Sequence, residues 1–116
     1  MVEQKLEVSQ SGDVTIYRLG GYFEDTAGKA LKEVCKKGLS EGKILYVFDF
    51  KGVPVVNSPG LSAILDLVVQ VIDYNDGKVA ISGLNNLTRN ALRMTGVLAL
   101  CKEFPAEAEA IQSISG

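Results

Sequence analysis

The Ser58 hydroxyl is the side-chain group in this sequence that is best placed to take part in a chemical reaction. It lies in the segment Val56–Leu61, between a run of strand-forming residues and a helical pattern. The first backbone N–H groups of a helix lack partners within that helix. A hydroxyl at this junction either caps those groups or stands exposed, where it can accept a phosphate. The local pattern favours Ser58 as the N-cap and Pro59 as the first helical residue, where the missing N–H costs little.

The composition removes most catalytic chemistry. The chain contains no His, which excludes Ser-His-Asp and Cys-His nucleophilic sites and every metal site that uses imidazole. Its two cysteines, Cys35 and Cys101, form no CxxC motif, so a thiolate metal cluster is not expected. Cys35 falls on the apolar face of a predicted helix, as a small core residue would.

Three carboxylates remain as candidates for acid–base work. Glu24, Asp25 and Asp49 approach Ser58 if the strands before them end on one side of the sheet. They do not define an acid–base pair without a fixed separation, so solvated carboxylates and a helix cap are the favoured interpretation. We therefore predict a protein that is not an enzyme, with no metal and no cofactor.

Length and charge indicate one domain, residues 1–116, with a net charge of -2. A chain of this length buries enough apolar surface to fold without disulfides. A slightly acidic chain without a basic stripe does not suit nucleic acid. The sequence has neither an apolar run long enough to span a membrane nor the apolar region of an export signal. We expect a cytoplasmic protein, which the unpaired-looking cysteines also favour.

Hydrophobic spacing predicts the elements that position Ser58. Period-two alternation indicates strands, and apolar residues every three to four positions indicate helices. The predicted order is a hairpin over residues 6–19, a helix capped by Asp25 or Thr26 and ending near Gly38, a central strand over 44–50, a helix over 61–74, a strand over 78–82, a helix over 86–95, an edge strand over 101–104 and a helix from Pro105 to about Ile111. This order predicts an α/β domain with a mixed four- to five-stranded sheet and about four helices.

Three segments resemble the motifs of one family in order and spacing. Residues 46–53 and then 57–61 are similar to the strand "LDL-x-G-V" and the signature "D-S-[ST]-G-L" of STAS domains of the anti-sigma factor antagonist type. Residues 21–24 are similar to the "G-E-L-D" entry into the first helix of that family. Residues 91–97 are similar to its "L-x-x-T-G-L" ending of the third helix. The resemblance covers almost the whole chain and implies a STAS-like fold.

The resemblance also implies a function. In that family a partner anti-sigma factor, itself a serine kinase, phosphorylates the serine of the signature, and only the unphosphorylated protein binds that partner. The matching residue is Ser58. The chain would then be a bacterial regulator of sigma-factor-dependent transcription, and a weak homodimer is compatible with this role. The implied partner-binding residues are Glu24, Asp25, Asn57, Ser58, Pro59, Gly60, Leu61 and Ser62.

Two residues depart from the family signature. Asn57 stands where the family has Asp, which removes a carboxylate beside the acceptor hydroxyl. Pro59 stands where the family has Ser or Thr, which removes a hydroxyl and an N–H and stiffens the loop. A poorer kinase substrate would follow. The alternative function is a STAS scaffold or ligand-sensing module that is not phosphorylated.

The second predicted helix has an apolar surface wider than one packed face needs. We favour the interpretation that the helix packs on the sheet with one side and against neighbouring helices with its flanks. The alternative is that Leu67 or Val69 forms part of a partner surface near Ser58.

Overall fold

The predicted strands form one mixed sheet of five strands in the computed structural model, which describes residues 5–115. The strands lie side by side in chain order. They are β1 Lys5–Ser11, β2 Val14–Gly20, β3 Leu45–Gly52, β4 Lys78–Ser82 and β5 Lys102–Phe104. The β1–β2 hairpin is antiparallel, and β2 to β5 run parallel to one another. The predicted hairpin, central strand and edge strand are all confirmed.

Five helices and one π-helical turn connect and cover the strands. They are α1 Asp25–Ser40, α2 Ser58–Val69 with the π-helical turn Gln70–Tyr74 directly after it, α3 Asn86–Met94, α4 Val97–Leu100 and α5 Glu107–Ile114. The short α4 was not predicted from the spacing. The prediction that Pro105 lies in the first turn of the last helix is wrong. Phe104 still pairs with Ser82 in the sheet, so Pro105 and Ala106 form the turn before α5.

Strand β3 is covered on both faces, which explains its near-continuous apolar sequence. Tyr46, Phe48 and Phe50 are fully buried in the larger core cluster, with residues of α1 and α2. Val47 belongs to a smaller cluster on the other face, under α5. The sheet is therefore the middle layer of three, and its carboxyl edge carries the loops that lead into α1 and α2.

The wide apolar surface of α2 is used for packing. Leu67 is 3% exposed and belongs to the larger core cluster. Val69 is half-buried, and α2 contacts both α1 and α4. Leu67 therefore cannot contribute to a partner surface near Ser58, because neighbouring elements already cover it.

Both cysteines are core residues. Cys35 and Cys101 are free and buried, as predicted for Cys35. Burial raises the pKa of each thiol to about 12, because the thiolate would have to form away from water. Neither is a reactive nucleophile near neutral pH.

Candidate partner-binding site around Ser58

Two loops at the carboxyl edge of the sheet are joined directly before α1 and α2. The Phe23 N–H donates to the Val55 carbonyl at 3.0 Å, and the Asn57 N–H donates to the Phe23 carbonyl at 3.1 Å. These bonds accompany a parallel bridge between Phe23 and Val56. The bridge brings the starts of the two helices side by side. Glu24 precedes α1 and Asn57 precedes α2, and these two residues are 33 positions apart in the sequence.

The N-cap of α1 is Glu24. Its Oε1 accepts a hydrogen bond from the Ala27 N–H at 3.1 Å. The prediction of Asp25 or Thr26 as the cap is therefore wrong. The bridge at Phe23 leaves Glu24 extended, with φ of -127°, and the first helical residue is Asp25. Glutamate is not among the preferred cap residues, so the local sequence gave no signal for this cap.

The N-cap of α2 is Asn57, and Ser58 is the first helical residue. The Gly60 N–H donates to Asn57 Oδ1 at 3.0 Å, and the Leu61 N–H donates to the Asn57 carbonyl at 2.9 Å. The predictions of Ser58 as the cap and Pro59 at the first position are both wrong by one residue. Asparagine is as good an N-cap residue as serine. The loop bridge holds Asn57 in the extended conformation that a cap requires.

The shift of the cap leaves the Ser58 hydroxyl free. Ser58 is exposed, and within residues 5–115 its hydroxyl makes no hydrogen bond. Few N–H groups remain beside it, because Pro59 has none and the Gly60 N–H is bonded to Asn57. The site therefore presents an accessible hydroxyl without a preformed cradle for an anion.

Small residues let the two helix starts approach closely. A Cβ atom on Gly60 would collide with the Phe23 carbonyl oxygen and lie 2.9 Å from Cδ1 of its ring. A Cβ atom on Gly28 would lie 2.7 Å from Cβ of Ala63. Gly60 thus fixes the position of Ser58 relative to the start of α1.

A cavity of about 260 Å³ lies between α1 and α2 beside this site. Its charged residues form two ion pairs. Lys29 Nζ lies 3.2 Å from an oxygen of Asp25, and Lys32 Nζ lies 3.0 Å from an oxygen of Asp66. The cavity is charge-balanced, so it does not add a net positive field next to Ser58.

Comparison with known proteins identifies the family. The model of the family described as STAS domain matches residues 5–110. The chain belongs to the STAS domain family. No curated protein sequence matches the chain significantly.

Solved structures of several other proteins share the fold at low sequence identity. An anti-sigma factor antagonist from Mycobacterium paratuberculosis has a TM-score of 0.85 and 15% identity, covering 97% of this chain and 94% of that chain. The Bacillus cell fate determinant SpoIIAA, in its phosphorylated form, has a TM-score of 0.76 and 14% identity, covering 96% and 100%. A sulfate transporter family protein from Wolinella succinogenes has a TM-score of 0.78 and 21% identity, covering 91% and 88%. These structures confirm the predicted fold class. Among the described residues of this STAS domain, no helix has the length and apolar character needed to cross a membrane.

The residues predicted to bind a partner lie together around the two helix starts of this STAS domain. They differ in exposure. Asp25, Ser58, Pro59 and Ser62 are exposed, Glu24, Asn57 and Leu61 are half-buried, and Gly60 is buried. Tyr22 and Val55, which sequence reasoning did not single out, flank the loop bridge and are each 40% exposed. The sequence signals these two residues only weakly: each is an apolar residue that directly follows Gly or Pro in a predicted loop.

Asp49 does not belong to this site. Its Oδ1 accepts a hydrogen bond from the Ser82 hydroxyl at 2.8 Å, and the residue is 9% exposed. Because side chains alternate along a strand, Asp49 shares with Val47 the sheet face under α5. Glu24 and Asp25 begin α1 on the other face. The favoured interpretation of Asp49 as a solvated carboxylate is wrong, and its position on the α5 face also rules out the alternative that it approaches Ser58.

The cap assignment is tested by stability. We expect Asn57→Ala to lower the free energy of unfolding by about 1 kcal/mol, because the Gly60 N–H loses its partner. Ser58→Ala should change it by less than about 0.5 kcal/mol, as for an exposed residue without a structural bond. Urea unfolding of both variants gives the comparison, with Asn57→Asp as the control that retains a capping oxygen. A larger loss for Ser58→Ala than for Asn57→Ala would contradict the assignment.

Proposed function

We propose that this STAS domain is an anti-sigma factor antagonist. It binds an anti-sigma factor with serine kinase activity in the cytoplasm and loses that partner when Ser58 is phosphorylated. The observation that carries the proposal is the exposed Ser58 hydroxyl, which makes no hydrogen bond within residues 5–115 and matches the serine of the family signature. The fold shared with an anti-sigma factor antagonist and with phosphorylated SpoIIAA supports it. In this role the chain is a substrate of the kinase and not a catalyst.

A phosphate on Ser58 would act on binding more than on folding. It adds a charge of about -1.5 to -2 and three acceptor oxygens. At the start of a helix such a charge is favoured by about 0.3–1 kcal/mol. The same charge enclosed in an interface without a matching cation costs several kcal/mol of desolvation. The difference between these terms favours release of the partner from a protein that stays folded.

The surface around Ser58 suggests the chemistry of the partner. Tyr22 and Val55 supply exposed apolar area on the two bridged loops. Glu24 precedes α1, and the carboxylate of Asp25 is paired with Lys29. A partner with an apolar contact surface that offers no cation opposite Ser58 fits this arrangement, and it would bind less tightly once Ser58 carries a negative charge.

A second candidate function rests on the residues next to Ser58. Pro59 has no backbone N–H, and the N–H of Gly60 already donates to Asn57 Oδ1. The start of α2 therefore offers few N–H groups that could bind a phosphate. Asn57 also lacks the carboxylate that the signature places beside the serine. These features favour a STAS scaffold or sensing module that binds its partner constitutively.

Phosphopeptide mapping tests the proposed function. We expect the protein recovered from growing and stressed cells that naturally produce it to carry a single phosphate on Ser58, with an occupancy that changes between conditions. The Ser58→Ala protein should carry none, whereas Ser40→Ala, a change at an exposed position at the far end of α1, should carry the same phosphate as the wild type. The absence of phosphate in every condition in which the protein is abundant would contradict the proposal and support the constitutive module.

A further inference from the structure

A second cavity lies where β4 and β5 begin, at the end of the sheet opposite to the Ser58 site. Its volume is about 490 Å³, within the range of roughly 300–1,000 Å³ for small-molecule sites. It opens because β5 is short: its first residue, Lys102, pairs with Ala80, so that Lys78 and Val79 precede the paired segment. The π-helical turn, the end of α4 and the end of α5 supply the other walls.

Most of the wall is apolar. Ile72, Leu100, Phe104 and Ile114 contribute from four different elements. Ile114 is only 7% exposed, but Leu100 remains 42% exposed beside the cavity. Filling the space with an aliphatic chain would remove this apolar surface from water, which is favourable in proportion to the area covered.

Two lysines on the same sheet face stand at this cavity. Lys78 shares its face with Ala80, and Lys102 shares its face with Phe104, because side chains alternate along strands. Ala80 and Phe104 both belong to the apolar cluster under α5. Lys78 and Lys102 therefore extend from adjacent strands to one side of the sheet. Both are exposed, and within residues 5–115 neither forms an ion pair.

Two of the carboxylates on the neighbouring elements are engaged by other cations. Glu103 points to the opposite sheet face from Lys102, and Nε of Arg89 donates to both of its oxygens at 2.9 Å. Glu107, at the start of α5, accepts hydrogen bonds from Arg18 at 2.8 and 2.6 Å.

We propose that this cavity binds an unbranched aliphatic carboxylate. The aliphatic chain lies against Leu100 and Ile114, and Lys78 and Lys102 bind the carboxylate head group. The mostly apolar wall selects for the chain, and the two unpaired ammonium groups select for a negative head group over a neutral one. The proposal is independent of the Ser58 function, because the two sites lie at opposite ends of the parallel strands.

Titrations of the isotope-labelled full chain with decanoate, decanol and acetate, below the micelle concentration, test the site. Decanoate should shift backbone amide NMR signals at the starts of β4 and β5 and at the end of α5, while those of Asn57 and Ser58 stay unchanged. Each methylene removed from the chain should weaken binding about three- to fourfold. Decanol should bind at least about fivefold more weakly than decanoate, and acetate, which lacks eight methylene groups, should show no measurable binding.

Matched charge variants distinguish direct binding by Lys78 and Lys102 from an effect of the net charge of the protein. The double variant Lys78→Gln/Lys102→Gln keeps the aliphatic stems and should weaken decanoate binding about fivefold or more, without affecting decanol. The control Lys36→Gln/Lys37→Gln removes the same charge from exposed positions of α1 and should bind decanoate like the wild type.

Three results would overturn the proposal. Equal affinity for decanol and decanoate would show that the lysines do not recognise the head group. An equal loss in the Lys36→Gln/Lys37→Gln control would assign the effect to net charge. Binding to anionic phospholipid vesicles without binding to free decanoate would identify a membrane surface in place of a cavity for a free carboxylate.

Discussion

Ser58→Asp should lower the amount of partner recovered with this STAS domain at least about tenfold, whereas Ser58→Ala should recover as much as the wild type. The aspartate places a charge where the exposed hydroxyl lies at the proposed interface, and burying it without a matching cation costs more than the roughly 1.4 kcal/mol that a tenfold change requires. Capture with tagged variants from cells that naturally produce the protein, followed by mass spectrometry for an anti-sigma factor kinase, gives the ratio.

Two controls keep this result interpretable. Gln112→Glu adds one negative charge at an exposed position of α5, on the other face of the sheet, and should not change recovery. The Ser58→Asp protein should unfold within about 0.5 kcal/mol of the wild type, since Ser58 is not the cap of α2. Equal recovery of the partner by the Ser58→Asp and Ser58→Ala proteins would mean that charge at this position is irrelevant, and would remove the basis for the switch.

Local spacing was enough to predict most elements of this domain. The run from 44 to 50 predicted the central strand because a strand buried on both faces needs apolar residues in both directions. Helical spacing located α1, α2 and α3 within a few residues. The π-helical turn Gln70–Tyr74 and the short α4 lay beyond this reasoning, because both continue the apolar spacing of neighbouring segments without a distinct local signal.

The caps were predicted wrongly because a tertiary contact determines them. Ser58 is a good cap by type, but the bridge between Phe23 and Val56 sets where the extended chain ends and the helix begins. The same bridge makes Glu24 a cap although its type does not favour it. This difference matters for function. The hydroxyl of a capping serine would accept a backbone hydrogen bond, whereas the Ser58 hydroxyl makes no hydrogen bond within residues 5–115.

The wrong placement of Asp49 has another physical cause. The sequence shows that Asp49 lies near the end of a strand, but not which way the pleat directs it. Ser82, on the adjacent strand, donates a hydrogen bond to it at 2.8 Å, which satisfies the buried carboxylate within the sheet. Polar residues at the carboxyl edge of a sheet therefore fall into two sets, and only the set on the side of α1 and α2 can join Ser58.

Gly60→Ala should lower the free energy of unfolding by about 1–3 kcal/mol, although alanine is the better helix former by about 1 kcal/mol. The added methyl group would meet the Phe23 carbonyl oxygen, which is backbone and cannot rotate away. Relief requires α2 to move away from the loop before α1, which strains the hydrogen bond between the Asn57 N–H and that same carbonyl. Urea unfolding measures the loss of stability.

Ser62→Ala is the matched control for this change. It places the same methyl side chain two residues further along α2, at an exposed position, and should leave stability within about 0.5 kcal/mol of the wild type. Because Gly60 sets the spacing between the two helix starts, Gly60→Ala should also weaken partner capture at temperatures where the protein is still folded. A Gly60→Ala protein as stable as the Ser62→Ala protein would show that the loop before α1 yields to the methyl group, and that the close approach of α2 to Phe23 does not hold Ser58 in place.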